Sequence, residues 1–212
     1  MNRKALKKQA REMIKGHLWD LLKPYVVILL ISFVVGIIFG ASTTGMGVAT
    51  YNPESPFAGM LSSIISLATV PLSFGVYAYT LNFIRKEPYD IKQLFTIYKK
   101  AFVIILLSFL IGLFTFLWLL LFIIPGIIAA LSYAMAPYLM ADDHNDSMEC
   151  IKHSKKMMTG YKWDYFKFLF SFIGWILLAI PTLGLILIYV IPYITVANLL
   201  YYEELRKITK FD

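Results

Sequence analysis

The chain has 212 residues, of which 59% are hydrophobic, and its mean hydropathy of +0.69 is far above that of soluble domains, which are roughly 45–50% apolar. Its formal charge of +7 comes from 20 Lys and Arg set against 13 Asp and Glu, with every basic residue inside segments 2–23, 85–100, 152–167 and 206–210. That confinement leaves no folded basic domain for nucleic acid, and the single cysteine, Cys150, excludes an intrachain disulfide framework.

Runs 24–53, 55–84, 101–141 and 168–202 carry no charge, and only Glu54 separates the first two. A helix needs ~20 apolar residues to cross a ~30 Å hydrocarbon core, and cytoplasmic loops collect Lys and Arg. The pattern predicts an all-α, multi-pass protein of the cell membrane with both termini cytoplasmic. In chain order it divides into an amphipathic segment (1–23), hairpin 1 (24–84), a cytoplasmic loop (85–100), hairpin 2 (101–141), a cytoplasmic amphipathic helix (142–167), hairpin 3 (168–202) and a tail (203–212). The sum is six transmembrane helices in three hairpins, within one membrane domain.

Segment 1–23 places Leu6, Ala10, Met13, Ile14 and Leu21 near one helix face, with Lys4, Lys7, Lys8, Arg11 and Lys15 largely opposite. A helix lying in the headgroup plane has this pattern. Gly16 permits a bend, Trp19 suits the interfacial belt, and Lys23 is long enough to reach phosphate. The first span is expected from Tyr25 to Ala41, with a small-residue ridge of Ser32, Gly36 and Gly40 for helix packing. An external loop, Ser42 to Pro56, leads to a second span, Phe57 to Ile84, in which Pro71 is expected to kink the helix.

Hairpin 2 reads as helices 101–124 and 127–141 about a Pro125-Gly126 turn. The second is short, so full crossing and a dip into the membrane both fit the charge pattern. Asp146-Ser147-Met148-Glu149 resembles a capping box. Asp142, Asp143 and Asp146 fall at the positive end of the helix that follows, with Lys155 and Lys156 towards its negative end. Hairpin 3 turns at Pro181-Thr182-Leu183-Gly184.

The strongest internal signal is a repeat. Met13, Gly16, Trp19, Asp20 and Lys23 recur as Met157, Gly160, Trp163, Asp164 and Lys167, all at an offset of 144. Three hairpin exits echo one another more faintly, through Tyr77 and Asn82, Tyr133 and Tyr138, and Tyr193 and Asn198. Repeats in membrane proteins can place a binding site at their interface. The candidate surface for anionic headgroups or a partner is therefore Lys15, Trp19, Lys23, Lys152, Lys155, Lys156, Lys162, Trp163 and Lys167. The candidate polar path is Asn82, Tyr138 and Asn198. The run Asp142 to Asp146, with His144, matches no recognised metal loop, and Cys150 and His153 lack further ligands or catalytic partners. No metal, cofactor or catalytic residue is assigned, and the spans hold no charge for ion coupling.

Four stretches carry a family resemblance: LKKQAREMIKGHLW (Leu6 to Trp19), YAYTLNFIRKEPYDIKQLF (Tyr77 to Phe95), FIIPGIIAALSYAMAPYLMAD (Phe122 to Asp142) and SKKMMTGYKWDYF (Ser154 to Phe166). Through them the chain resembles the integral membrane proteins of Gram-positive bacteria grouped as the domain of unknown function 975 family. The resemblance implies a multi-helix cytoplasmic-membrane protein with no established activity. The expected role is non-enzymatic: binding lipid, a small hydrophobic molecule or a membrane-protein partner (a second copy included), in envelope homeostasis or resistance to membrane-active agents. The alternative is a transporter or channel for a neutral or amphiphilic solute.

Overall fold

In chain order the helices are α1 (Arg3–Ile14), α2 (Leu18–Ala41), α3 (Pro56–Arg85), α4 (Gln93–Thr96) with a 3₁₀ turn Ile97–Lys100, α5 (Ala101–Leu121), α6 (Ile123–Tyr133), α7 (Ala136–Ala141), α8 (Ser147–Met157), α9 (Lys162–Phe170), α10 (Ile173–Leu177) and α11 (Leu187–Thr209). No strand occurs among the described residues. The structure is a computed structural model describing residues 2–41, 56–142 and 144–209, without the side chains of 35–41, 56–62 and 64–66. The expected external loop, Glu54, Asp143 and the packing of Gly36 and Gly40 lie outside the described residues. Leu67–Arg85, Gln93–Leu121 and Ile123–Ala141 are long and apolar enough to cross a membrane, and counting the bent pair α1–α2 as one span gives a fourth.

Local chemistry sets where the helices begin and break. Asn2 caps α1 by accepting from the Ala5 N–H at 3.2 Å. Gly16 then turns the chain at φ +93, and α2 leaves at 84° to α1. Gly160 does the same between α8 and α9 at φ +86. A Cβ is strained in this left-handed region, which is why both copies of the repeat carry glycine here. The twin motifs are twin elbows.

Three helical boundaries differ from expectation. The α5–α6 turn falls at Phe122, whose backbone is extended (φ −159, ψ 148), and not at Pro125-Gly126. Pro125 occupies the first turn of α6, where its missing N–H has no partner to lose. Helix 127–141 is in fact two helices, α6 and α7. Pro137 withholds an N–H from the Tyr133 carbonyl, and the ladder is mended from outside. Ser154 Oγ accepts from Met135 N–H at 3.1 Å and donates to the Ser132 carbonyl at 2.8 Å. In hairpin 3, α9 and α10 part at Ser171-Phe172, where Ser171 Oγ donates back to Phe168 O and Lys7 Nζ takes the Ser171 carbonyl at 3.2 Å. Pro71, by contrast, sits inside an unbroken α3.

Ser154→Ala should cost about 2 kcal/mol, because it orphans the buried Met135 N–H as well as removing a donor. Thermal unfolding in detergent measures it.

Each basic segment packs on the helical pair that precedes it. α4 and the 3₁₀ turn lie on α3, and α8 lies on α5, α6 and α7. α1 packs on α11, closing the circle. Its apolar face, Leu6, Ala10 and Ile14, is buried there in the main core with Tyr193, Val196 and Leu200. The expected burial of that face in headgroups is thereby corrected: protein covers it. Its basic stripe is also partly used within the fold. Arg3 Nε reaches Asp164 at 3.2 Å, Lys7 Nζ stands 4.2 Å from the Phe172 ring centre, and Arg11 lies 5.5 Å from those of Trp175 and Tyr193. α5 shows the opposite character, leaving Phe102, Phe109, Phe116 and Leu120 exposed.

Candidate functional site

The two elbows present their tryptophans outward: Trp19 is 69% exposed and Trp163 64%. Behind Trp19, Lys23 Nζ bonds Asp20 at 2.6 Å. At the second elbow Lys167 Nζ lies 5.3 Å from the Trp163 ring centre, and Asp164 faces α1 and the Tyr201 hydroxyl (3.3 Å). Lys15, Lys152, Lys155, Lys156 and Lys167 are exposed, whereas Lys23 and Lys162 are half-buried. Of the nine surface candidates, Lys155 and Lys162 share one cleft, Lys15 lines another, and Lys23 is committed to Asp20.

Under the second elbow two of them meet apolar surface. Lys155, from α8, and Lys162, from the start of α9, rim a cleft of about 200 Å³ walled by Trp118, Pro125, Ile128 and Ala129. Neither lysine has an ion-pair partner among the described residues. The cleft thus sets two cations beside an apolar wall. The volume lies below the about 300–1,000 Å³ of sites that engulf a ligand.

A second cleft, about 540 Å³, opens between the first elbow and the end of α3. Lys15, Lys86, Glu12, Glu87, Phe83 and Tyr89 line it. His17 packs edge-on to Phe83 at 5.6 Å, and Phe83 edge-on to Tyr89 at 5.6 Å.

Where the hairpins end, charge converges. Arg85 is the first charged residue after the second apolar run, Asp142 the first after the third, and Glu203 the first after the fourth. Arg85 grips Asp142 with both terminal nitrogens (2.5 and 2.8 Å) and Glu203 through Nε (2.8 Å). Arg206 Nη1 and the Tyr202 hydroxyl also reach Asp142 Oδ2, at 2.7 and 2.9 Å. The Asp142 side chain is only 10% exposed. Burial alone would raise its pKa, but the Arg85 guanidinium, the Tyr202 hydroxyl and Arg206 outweigh burial and hold the carboxyl below the usual range. Asp142 is therefore the knot joining α3, α7 and α11, and not a cap of α8. Asp146 alone does that work, its Oδ1 accepting from Met148 N–H (2.7 Å) and Glu149 N–H (3.0 Å). Those two N–H groups hold the Asp146 carboxyl below its ordinary range. Glu149 does not reach back as a capping box requires and lies 3.7 Å from His153.

The three polar-path residues separate into two sets. Asn198 Oδ1 accepts from the Tyr165 hydroxyl at 3.2 Å, and Tyr138 packs edge-on to Tyr77 at 5.1 Å, all within the core. Asn82 instead donates to Gln93 Oε1 at 3.2 Å, bracing the turn after α3. Most other polar groups of the spans bond within their own helix, as Thr80 does to Val76 O and Ser132 to Ile128 O. Tyr25 and Thr195 are an exception, bridging α2 and α11 at 2.7 Å.

Cys150 is buried, and burial, followed by Glu149 and Asp146, pushes its thiol up to about 12. Such a thiol is a poor nucleophile at neutral pH. His144 Nδ1 sits 3.0 Å from the Leu139 carbonyl and its ring stands edge-on to His153. Among the described residues no three His, Cys, Asp or Glu side chains converge on a common point.

Residues 119–209 match the family described as protein of unknown function DUF975, the family that the sequence resembles. The matched region runs from the end of α5 to α11 and contains the second elbow, Asp142, Glu203 and the lining of the cleft beneath Lys155 and Lys162 except Trp118. No curated protein and no solved structure matches the chain.

Proposed function

We propose that this chain is a non-catalytic protein of the cell membrane that binds an anionic amphiphile, a lipid in the first instance, beneath its second elbow. In this reading its apolar helices form three hairpins with six crossings, and both ends and all elbows face the cytoplasm. The basic residues, confined to the ends and the links between hairpins, support that orientation. The circular docking of α1, α4 and α8 supports three equivalent units.

One observation carries the binding reading. Lys155 and Lys162 have no acid to neutralise them among the described residues and stand over Trp118, Pro125 and Ile128. A lone anion would leave that wall bare, and a neutral alkane would leave the cations unmatched. A phosphate-bearing lipid satisfies both. Passage of a solute through Asn82, Tyr138 and Asn198 finds less support, since Asn82 is turned to Gln93.

The test is native mass spectrometry of the full chain released from vesicles of equimolar phosphatidylglycerol and phosphatidylcholine. Lys155→Gln with Lys162→Gln should lower retained phosphatidylglycerol about thirtyfold, at ~1 kcal/mol per basic residue near the surface. Equal retention by wild type and variant would remove the reading.

A further inference from the structure

The cleft at the first elbow differs in chemistry from the one beneath the second. It faces both signs of charge: Lys15 and Glu12 from the end of α1, Lys86 and Glu87 from the end of α3. Among the described residues Lys15, Lys86 and Glu87 make no ion pair, and Glu12 has only the exposed Lys8 at 3.9 Å. Four charges of alternating sign around one volume, left uncompensated by one another, are matched only by a guest carrying both signs. An anion alone meets Glu12 and Glu87, and a cation alone meets Lys15 and Lys86.

The aromatic lining sharpens the class. Phe83 is held between His17 and Tyr89, and Tyr89 packs edge-on to Tyr79 at 5.2 Å. An ammonium group is stabilised by ring faces as well as by carboxylates. The end of α3 is fixed, not loose. Lys86 takes a left-handed conformation (φ +60), locked by Glu87 N–H to the Asn82 carbonyl (2.9 Å) and Lys86 N–H to Phe83 O (3.2 Å). Asn82 is itself bonded to Gln93. Lys86 and Glu87 are thus presented from a braced helix end, while Lys15 and Glu12 come from the opposite wall. At about 540 Å³ the space lies within the range of small-molecule sites.

We infer that this cleft binds a zwitterionic phospho-ammonium group, with phosphate between Lys15 and Lys86 and the ammonium against Glu87, Glu12 and the Phe83–Tyr89 pair. Lysines act on phosphate as point charges, so two donors from opposite walls suit its spread of oxygens. A phosphatidylethanolamine headgroup and a free phosphoamine share this chemistry. The inference does not depend on the site beneath Lys155 and Lys162.

Its test uses the full chain in vesicles of equimolar phosphatidylethanolamine and phosphatidylglycerol, with both lipids counted by native mass spectrometry. Lys15→Gln with Lys86→Gln should lower phosphatidylethanolamine retention about thirtyfold, and Glu87→Gln alone about threefold. Phosphatidylglycerol retention should be unmoved by either variant, and unchanged thermal unfolding shows that both fold. Lys155→Gln with Lys162→Gln should leave phosphatidylethanolamine unchanged, which separates this site from the other. Soluble O-phosphoethanolamine then distinguishes the sources. Displacement of the lipid at millimolar concentration assigns the site to the headgroup alone, and resistance to displacement assigns it to the lipid as a whole. Phosphatidylethanolamine retained equally by wild type, the double lysine variant and Glu87→Gln overturns the inference, as does a loss caused equally by the Lys155 and Lys162 changes.

Discussion

Replacing Asp142 with Asn is expected to destabilise the protein by about 3 kcal/mol, the low end for removing one partner from a buried charge pair. Asn keeps the shape but surrenders the charge that Arg85, Arg206 and Tyr202 all address. Glu203 would then be left to serve Arg85, and Arg206 would lose its contact at 2.7 Å. Because these contacts join α3, α7 and α11, the loss should appear as a lower and broader unfolding transition, not as a local fraying. Combining Asp142→Asn with Arg206→Gln should cost less than the sum of the two, since the second change removes a charge already stranded by the first.

The same carboxylate fixes the sign of a pH effect. A carboxyl whose folded pKa is depressed stabilises the protein above its unfolded value, ~3.9, and that stability is lost as pH falls through the folded value. Wild type should therefore lose stability on acidification below pH ~4, and Asp142→Asn should lack this component. Parallel acid titrations of the two would show the idea wrong.

Much of this was legible in the chain. Confined basic residues and long uncharged runs point to membrane helices by solvation alone, and the two glycines of the repeat sit where a left-handed turn is needed. Periodicity along α1 correctly marks Leu6, Ala10 and Ile14 as buried. It cannot say against what, and protein took the place of lipid. The helix breaks were misplaced for a definite reason. Proline marks where a helix is interrupted without saying on which side, so Pro125 opens α6 where a turn was expected. Pro137 lies inside an uninterrupted apolar run that gives no turn signal, yet it forces the α6–α7 break that Ser154 then bridges. The charge knot was missed because charges flanking a span read first as topology signals. Its trace was nonetheless present, in that Arg85, Asp142 and Glu203 are each the first charge after an apolar run. Such residues at the ends of returning helices are drawn together when those helices share a core. The opposed charges of the first-elbow cleft left no trace of this kind, since Lys15 and Lys86 are brought together only by tertiary packing.

Gly126→Ala is expected to cost about 3 kcal/mol, at the upper end for an overpacked core. A Cβ at Gly126 would stand 2.4 Å from Leu119 Cγ and Cδ2 and 2.9 Å from Leu119 Cα. Rotating the leucine relieves the first two contacts but not the third, which is backbone. Nor can the helices simply part, because α5 and α6 are joined through the single residue Phe122, and Gly126 N–H bonds the Phe122 carbonyl at 3.2 Å. Relief must then come from pivoting the whole of α6, which carries Ile128 and Ala129 away from Trp118. That motion deforms the cleft beneath Lys155 and Lys162 without touching either lysine. Gly126→Ala should accordingly lower both the unfolding temperature and phosphatidylglycerol retention. At Gly112, where a Cβ would meet nothing within 4 Å, the same substitution should lower neither. A retention loss shared by both glycine variants would mean that the cleft's geometry is not what holds the lipid.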